Sequence, residues 1–315
     1  MPSVPEVTCH EVGERYLARA LEDITGRTYR GWHWMRYADA SPEKLDEIRD
    51  DLLDHVAARA AQDPALRPSA RTALRTAAEC SLGTLSLGCF PKGDQEIPFP
   101  LIDESLSSRS IAFGDIVELA PTARTWCDGF AVCLVSGVLG EWRRGVGLLL
   151  RDDYAPAIRD GLPDSKQNSV SDPADLAAME ALCGYLAPSR GHLPRDRPTA
   201  PLRKPDGEQR AEAARRLDAE AALTPDQRLL RVLLDDDRHA FEQALVARLV
   251  EHRESVGPDP APRTLLPVGA LALAALAVQV HGWEPGVRSG YLPASLLGSP
   301  AGPRPAARAD GDGRA

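Results

Sequence analysis

The chain has 315 residues and a net charge of −9, with 43% hydrophobic, 26% charged and only 5% aromatic residues. Its acidity argues against a nucleic-acid binder, which needs a basic face, and permits a basic protein partner. The length allows one large core or two moderate ones, and with so few aromatics that core must be built from Leu, Val and Ala.

Six cysteines (Cys9, Cys80, Cys89, Cys127, Cys133 and Cys183) include no C-x-x-C pair, and the histidines do not gather near them. Free, mostly buried thiols are expected rather than a disulfide framework. The opening residues M-P-S-V-P-E-V-T carry neither a basic nor an apolar leader region, so a cytoplasmic protein is expected.

Thr8 and Glu11 spell a T-x-x-E capping box, with Val7 and Val12 as its staple. They predict a helix burying Val12, Tyr16, Leu17, Ala20, Leu21 and Ile24 and stopping at Gly26. The next run, Y-R-G-W-H-W-M-R-Y, concentrates Tyr29, Trp32, Trp34 and Tyr37. It is expected to pack as core at a helix corner, with a binding platform as the alternative. Ser41-Pro42 opens a second helix with Leu45, Ile48, Leu52, Val56 and Ala60 on one stripe, ended by Asp63-Pro64. Ser69 is read as the cap of a third, closing at Gly88; the short turn makes these two antiparallel neighbours.

The helical rhythm breaks over 89–119, where the turn signal Lys92-Gly93-Asp94 lies between apolar runs and predicts a small β-hairpin or irregular flap. Thr122 or Thr125 starts a nearly all-buried helix containing Trp126 and Phe130, and Trp142 to Leu150 reads as a shorter one. Asp172-Pro173 starts the next. Residues 188–207 hold five prolines and several basic residues without periodicity, and read as a solvated insertion. A charged helix follows from Glu208 to Leu223, with Glu212 four residues before Arg216. Thr224 to Gln227 forms a second capping box, and Asp235-Asp236-Asp237 separates that helix from an amphipathic one through Phe241, Leu245, Leu249 and His252.

From Val268 to Val280 the chain is apolar nearly all round, so this helix must be buried on most sides. Pro267, Gln279 and an Ala-rich composition favour a core helix over a membrane span. The sequence therefore predicts an all-α fold: antiparallel helix hairpins in an array or bundle around a buried apolar C-terminal helix. One domain is expected over 1–297, followed by a disordered tail over 298–315.

No nucleotide, hydrolase or zinc motif occurs, and no two histidines are spaced i, i+3 or i, i+4. No catalytic residue, cofactor or metal site is predicted. The densest titratable group is Asp235, Asp236, Asp237 and His239, read as a helix junction and as the candidate partner-binding patch.

Three features of the C-terminal stretch are specific: A-L-V-A-R-L-V-E-H-R-E, then V-G-A-L-A-L-A-A-L-A, then Y-L-P-A-S-L-L. Together they resemble the immunity protein 49 family of bacterial polymorphic toxin systems. A-A-R-A-A-Q-D-P-A-L and the Trp126 helix with F-A-V-C are similar to the family too, whereas 188–207 departs from it as an insertion. The resemblance implies a helical, non-enzymatic protein that binds and neutralises a cognate toxin, without nucleic acid, membrane or cofactor. It supplies no contact positions. A helical adaptor that binds peptide segments of a partner is the competing expectation.

Overall fold

The computed structural model describes residues 4–38, 40–107, 120–141, 144–161, 170–189 and 200–299. Its first element is a strand and not a capped helix. β1 (Glu6–Val7) pairs in parallel with Arg288–Ser289, and Ser289 Oγ donates to the Val7 carbonyl at 2.7 Å. This pairing holds the backbone extended, so the Thr8–Glu11 capping box does not form; Thr8 Oγ1 accepts from Arg253 at 3.2 Å instead. Helix α1 (Glu14–Leu21) starts later and breaks at Asp23, where φ is +29°. The Asp23 carboxylate accepts from Gly26 N at 3.1 Å and starts α2 (Ile24–Tyr37). Gly26 thus lies in an opening turn, not at a stop.

α3 (Pro42–Gln62) follows its sequence signals. Ser41 Oγ accepts from Lys44 N at 3.2 Å, and Leu45, Ile48, Leu52, Val56 and Ala60 are buried. α4 (Pro68–Cys89) folds back along it. The cap position of α4 is Arg67 rather than Ser69, with Pro68 in the first turn. A hairpin then forms from β2 (Glu96–Phe99) and β3 (Glu104–Ser107), with Ile97 opposite Leu106. Its turn lies over 100–103, where Asp103 has φ +54°; Lys92-Gly93-Asp94 joins α4 to β2 instead. The remainder of the predicted flap, 108–119, lies outside the described residues.

α5 (Ala123–Val135) is capped reciprocally by Thr122 and Thr125. Trp126 is fully buried and its indole N–H donates to the Leu150 carbonyl at 2.8 Å. Trp142 and Arg143 lie outside the described residues. The helical run beyond them passes from α6 (Val146–Leu148) through a π-helical turn (Leu149–Tyr154) into α7 (Ala155–Asp160). α8 (Pro173–Tyr185) starts on the predicted Asp172 cap.

Of the stretch read as a solvated insertion, 190–199 falls outside the described residues, but the rest is docked. Leu202 bridges Leu186, and Arg203 N donates to the Tyr185 carbonyl at 2.8 Å. α9 (Gly207–Asp218) begins at Gly207 and is shorter than predicted, with Arg216 bonded to Glu212 at 3.0 Å. α10 (Pro225–Leu234) has the predicted Thr224–Gln227 capping box, and α11 (Arg238–Ser255) follows. α12 (Val268–Gln279) is buried continuously from Ala270 to Val278, covered by α5, α10, α11 and α13 (Ala294–Leu297). β4 (Arg288–Ser289) lies between α12 and α13 and returns the chain to β1. Pro262–Gln279 is apolar and long enough to cross a membrane, yet its helix is the centre of this fold. The architecture is all-α with a small β flap.

Candidate partner-binding surface

The acidic junction does not present three free carboxylates. Asp235 is exposed and bonds Arg231 at 2.5 Å, one helical turn back. Asp237 caps α11, accepting from His239 N at 2.9 Å and Ala240 N at 3.1 Å. Asp236 turns inward with φ +60°, where it meets Lys204 Nζ at 2.6 Å, Arg210 at 3.1 Å and His281 Nδ1 at 2.8 Å. Burial pushes the Asp236 carboxyl up, but Lys204, His281 and Arg210 together hold it below the usual range. His239 is exposed and bonds Gln243 at 2.9 Å. The four residues are adjacent, but Asp236 alone turns inward, and each of the four already has a partner within the chain.

The features that carry the family resemblance also hold the fold. His252 Nε2 donates to the Thr264 carbonyl at 2.7 Å. Thr264 Oγ1 gives its hydrogen to the Ala261 carbonyl at 2.7 Å, so it accepts from His10 Nε2 at 2.8 Å. His10 Nδ1 is therefore the acceptor for the Tyr291 hydroxyl at 2.7 Å. Gly269 lets α12 approach α10: a Cβ there would stand 2.2 Å from Asp226 Oδ2, whose carboxylate pairs with Arg248 at 2.6 Å. No local motif in the sequence announces these meetings, because the partners lie up to 281 positions apart.

Two other places remain. Between α8 and α9 lies an open cleft of about 730 Å³ whose charged lining includes Arg151, Arg203, Glu180, Glu212, Arg215 and Arg216. Arg216 pairs with Glu180 and Glu212, and Arg215 with Glu212 at 2.6 Å. Arg151 and Arg203 both donate to the Leu186 carbonyl, at 2.5 and 3.4 Å. Burial, then the charge of Arg151, pushes the Arg203 pKa down.

The other place is the outer side of α2. Ile24, Thr28, Gly31, Trp32 and Met35 form its buried stripe. Gly31 lies so close to α3 that a Cβ would stand 2.8 Å from the Ile48 side chain. The Trp32 indole N–H donates to the Ser105 carbonyl at 3.1 Å. Trp32 therefore is core, as predicted, but its neighbours are not: Tyr29, Trp34 and Tyr37 are 47%, 56% and 66% exposed. The spacing 24, 28, 31, 32, 35 was the signal that separates inner from outer rings. It is easily missed because Thr28 and Gly31 are not typical core residues.

A family model for immunity protein 49 matches residues 63–296. The chain belongs to the immunity protein 49 family. No curated protein and no solved structure matches it. The family match takes in α4 through most of α13 and begins after α2, so the exposed aromatic face lies in the part of this immunity-family chain outside the shared region.

Proposed function

We propose that this chain is the immunity half of a toxin–immunity pair. It binds a cognate toxin domain in the cytoplasm of the producing cell and neutralises it by covering the toxin's working surface, with no chemistry of its own. Membership of the immunity protein 49 family over 63–296 is the observation that carries this reading. A partly buried polar cluster supports it. Tyr185, Asp236 and His281 converge, but the His281 side chain is fully buried and is committed to Asp236 and Tyr185. That is the arrangement of a structural clamp holding α8, α12 and the α10–α11 turn together.

The experiment is to mix the purified chain with candidate toxin domains drawn from its neighbouring genes and follow each mixture by size-exclusion chromatography and toxin activity. A stable complex with the toxin's activity abolished supports neutralisation by occlusion. A folded chain that forms no complex, or one that leaves the toxin fully active, refutes it.

A further inference from the structure

We propose that the outer face of α2 docks the partner protein, through a segment whose carboxylates meet Arg30 and Arg36 and whose apolar side chains lie on Trp34 and Tyr37. This deepens the immunity reading and rests on it.

The face is concentrated. Among the described residues seven large hydrophobic side chains are exposed, and Tyr29, Trp34 and Tyr37 account for three of them on one helix. Their positions follow from the helical repeat. Tyr29, His33 and Tyr37 form an i, i+4 ridge, with ring centroids 6.2 and 4.7 Å apart, and Arg30 and Trp34 form the ridge beside it. Trp, Tyr and Arg are the residue types that dominate binding energy at protein interfaces.

The charge of the face selects the occupant. Within a chain of net charge −9, the segment Ile24–Tyr37 contains three arginines and no carboxylate. Arg27 is spent inward, on Asp51 at 2.7 Å and on the Arg19 and Ala20 carbonyls. Arg30 and Arg36 are not. Arg30 has a side chain 69% exposed and only a 3.9 Å approach to Asp23. The Arg36 guanidinium lies over the Trp32 and Tyr37 rings at 5.4 and 5.5 Å, and its Nε donates to the Tyr37 hydroxyl at 3.1 Å. A guanidinium held on an aromatic face keeps donors free for a carboxylate, and a basic strip on an acidic body fixes the register in which a partner fits.

The face is also pre-organised. The buried stripe, the Gly31 approach to Ile48 and the Trp32 hydrogen bond hold α2 in place before anything binds, which lowers the cost of ordering it.

The test measures affinity of the full chain for the toxin domain that it co-purifies with, by titration calorimetry, for wild type, W34A/Y37A and R30E/R36E. Each double variant is expected to bind at least about 30-fold more weakly; Arg30, Trp34 and Tyr37 are exposed and Arg36 is half-buried on the Trp32 ring, so the melting temperature should fall by no more than a few degrees. Tight wild-type binding with affinity kept in both variants overturns this proposal and leaves the immunity reading standing. A wild type that binds no toxin overturns both. If sedimentation shows W34A/Y37A dissolving a homodimer while toxin affinity stays the same, a second copy owns the face and the proposal falls.

Discussion

The Asp236 carboxylate and the His281 imidazole meet at 2.8 Å across 45 positions of chain. Asp236 sits in the turn between α10 and α11, and His281 just beyond α12. The Tyr185 hydroxyl completes the clamp, donating to His281 Nε2 at 3.1 Å, which leaves Nδ1 to donate to Asp236. Lys204 and Arg210 neutralise the same carboxylate from the segment before α9 and from α9 itself.

Asp236→Asn tests that clamp directly. Asparagine tolerates the positive φ of the turn and keeps the side-chain size, so the change removes charge and little else. Leaving Lys204 and Arg210 without their partner is expected to destabilise the fold by about 2–3 kcal/mol. Urea unfolding should show a lower midpoint with an unchanged slope. Asp235→Asn, which loses only an exposed pair, should cost well under about 1 kcal/mol.

Stability should fall as the solution is acidified below neutrality. Burial pushes the His281 pKa down from 6.5, with Asp236 opposing and Lys204 and Arg210 assisting. Burial, then His252, pushes His10 down from 6.5 as well. Below that value the unfolded chain binds more protons than the folded one, so unfolding gains ground. The stability tied to these two groups is fully present above pH 6.5 and is lost as pH falls toward their folded-state values. Asp236, with its pKa also lowered, adds a further loss only below about pH 4. Urea midpoints at pH 7.5 and 6.5 should nearly coincide, the midpoint at pH 5.5 should be lower, and His281→Gln should flatten the trend.

Gly269→Ala tests how firmly α10 and α12 are held at their starts. The new Cβ would displace the Asp226 carboxylate at the start of α10, and with it the 2.6 Å pair to Arg248. The carboxylate can swing toward solvent, so a loss of about 1 kcal/mol or less is expected, read as a slightly lower melting temperature. A melting temperature unchanged from wild type would show that the two helix starts are not held in register by this contact.

The thiols should be inert in the folded protein. Burial pushes Cys89 and Cys183 up to about 12 and raises Cys9, Cys80, Cys127 and Cys133 as well. The thiolate is the reactive form. Iodoacetamide at pH 8 should therefore label the native chain slowly, and all six cysteines after unfolding in guanidinium.

The sequence made some elements legible and hid others for physical reasons. Ser41-Pro42, Asp172-Pro173 and the Thr224–Gln227 box are local devices, complete within a few residues, and each starts a helix where it was expected. The Thr8–Glu11 box is equally well formed as a pattern, but strand pairing with Arg288–Ser289 overrides it, and nothing near Thr8 reports that partner. The hairpin was visible in type but not in register, since its turn is set by Asp103 rather than by Gly93. The acidic junction was visible as a run, while the inward turn of Asp236 depends on Lys204, Arg210 and His281 from elsewhere in the chain. The aromatic run was visible as composition; its division into Trp32 inside and Trp34 and Tyr37 outside follows from the helical repeat through Thr28 and Gly31.

The central claim is neutralisation, and growth measures it most directly. Cells expressing the cognate toxin domain that the proposal requires should stop growing, and co-expression of this chain should restore growth, with W34A/Y37A restoring much less. Continued arrest in cells that contain the folded wild-type chain in excess would contradict the account.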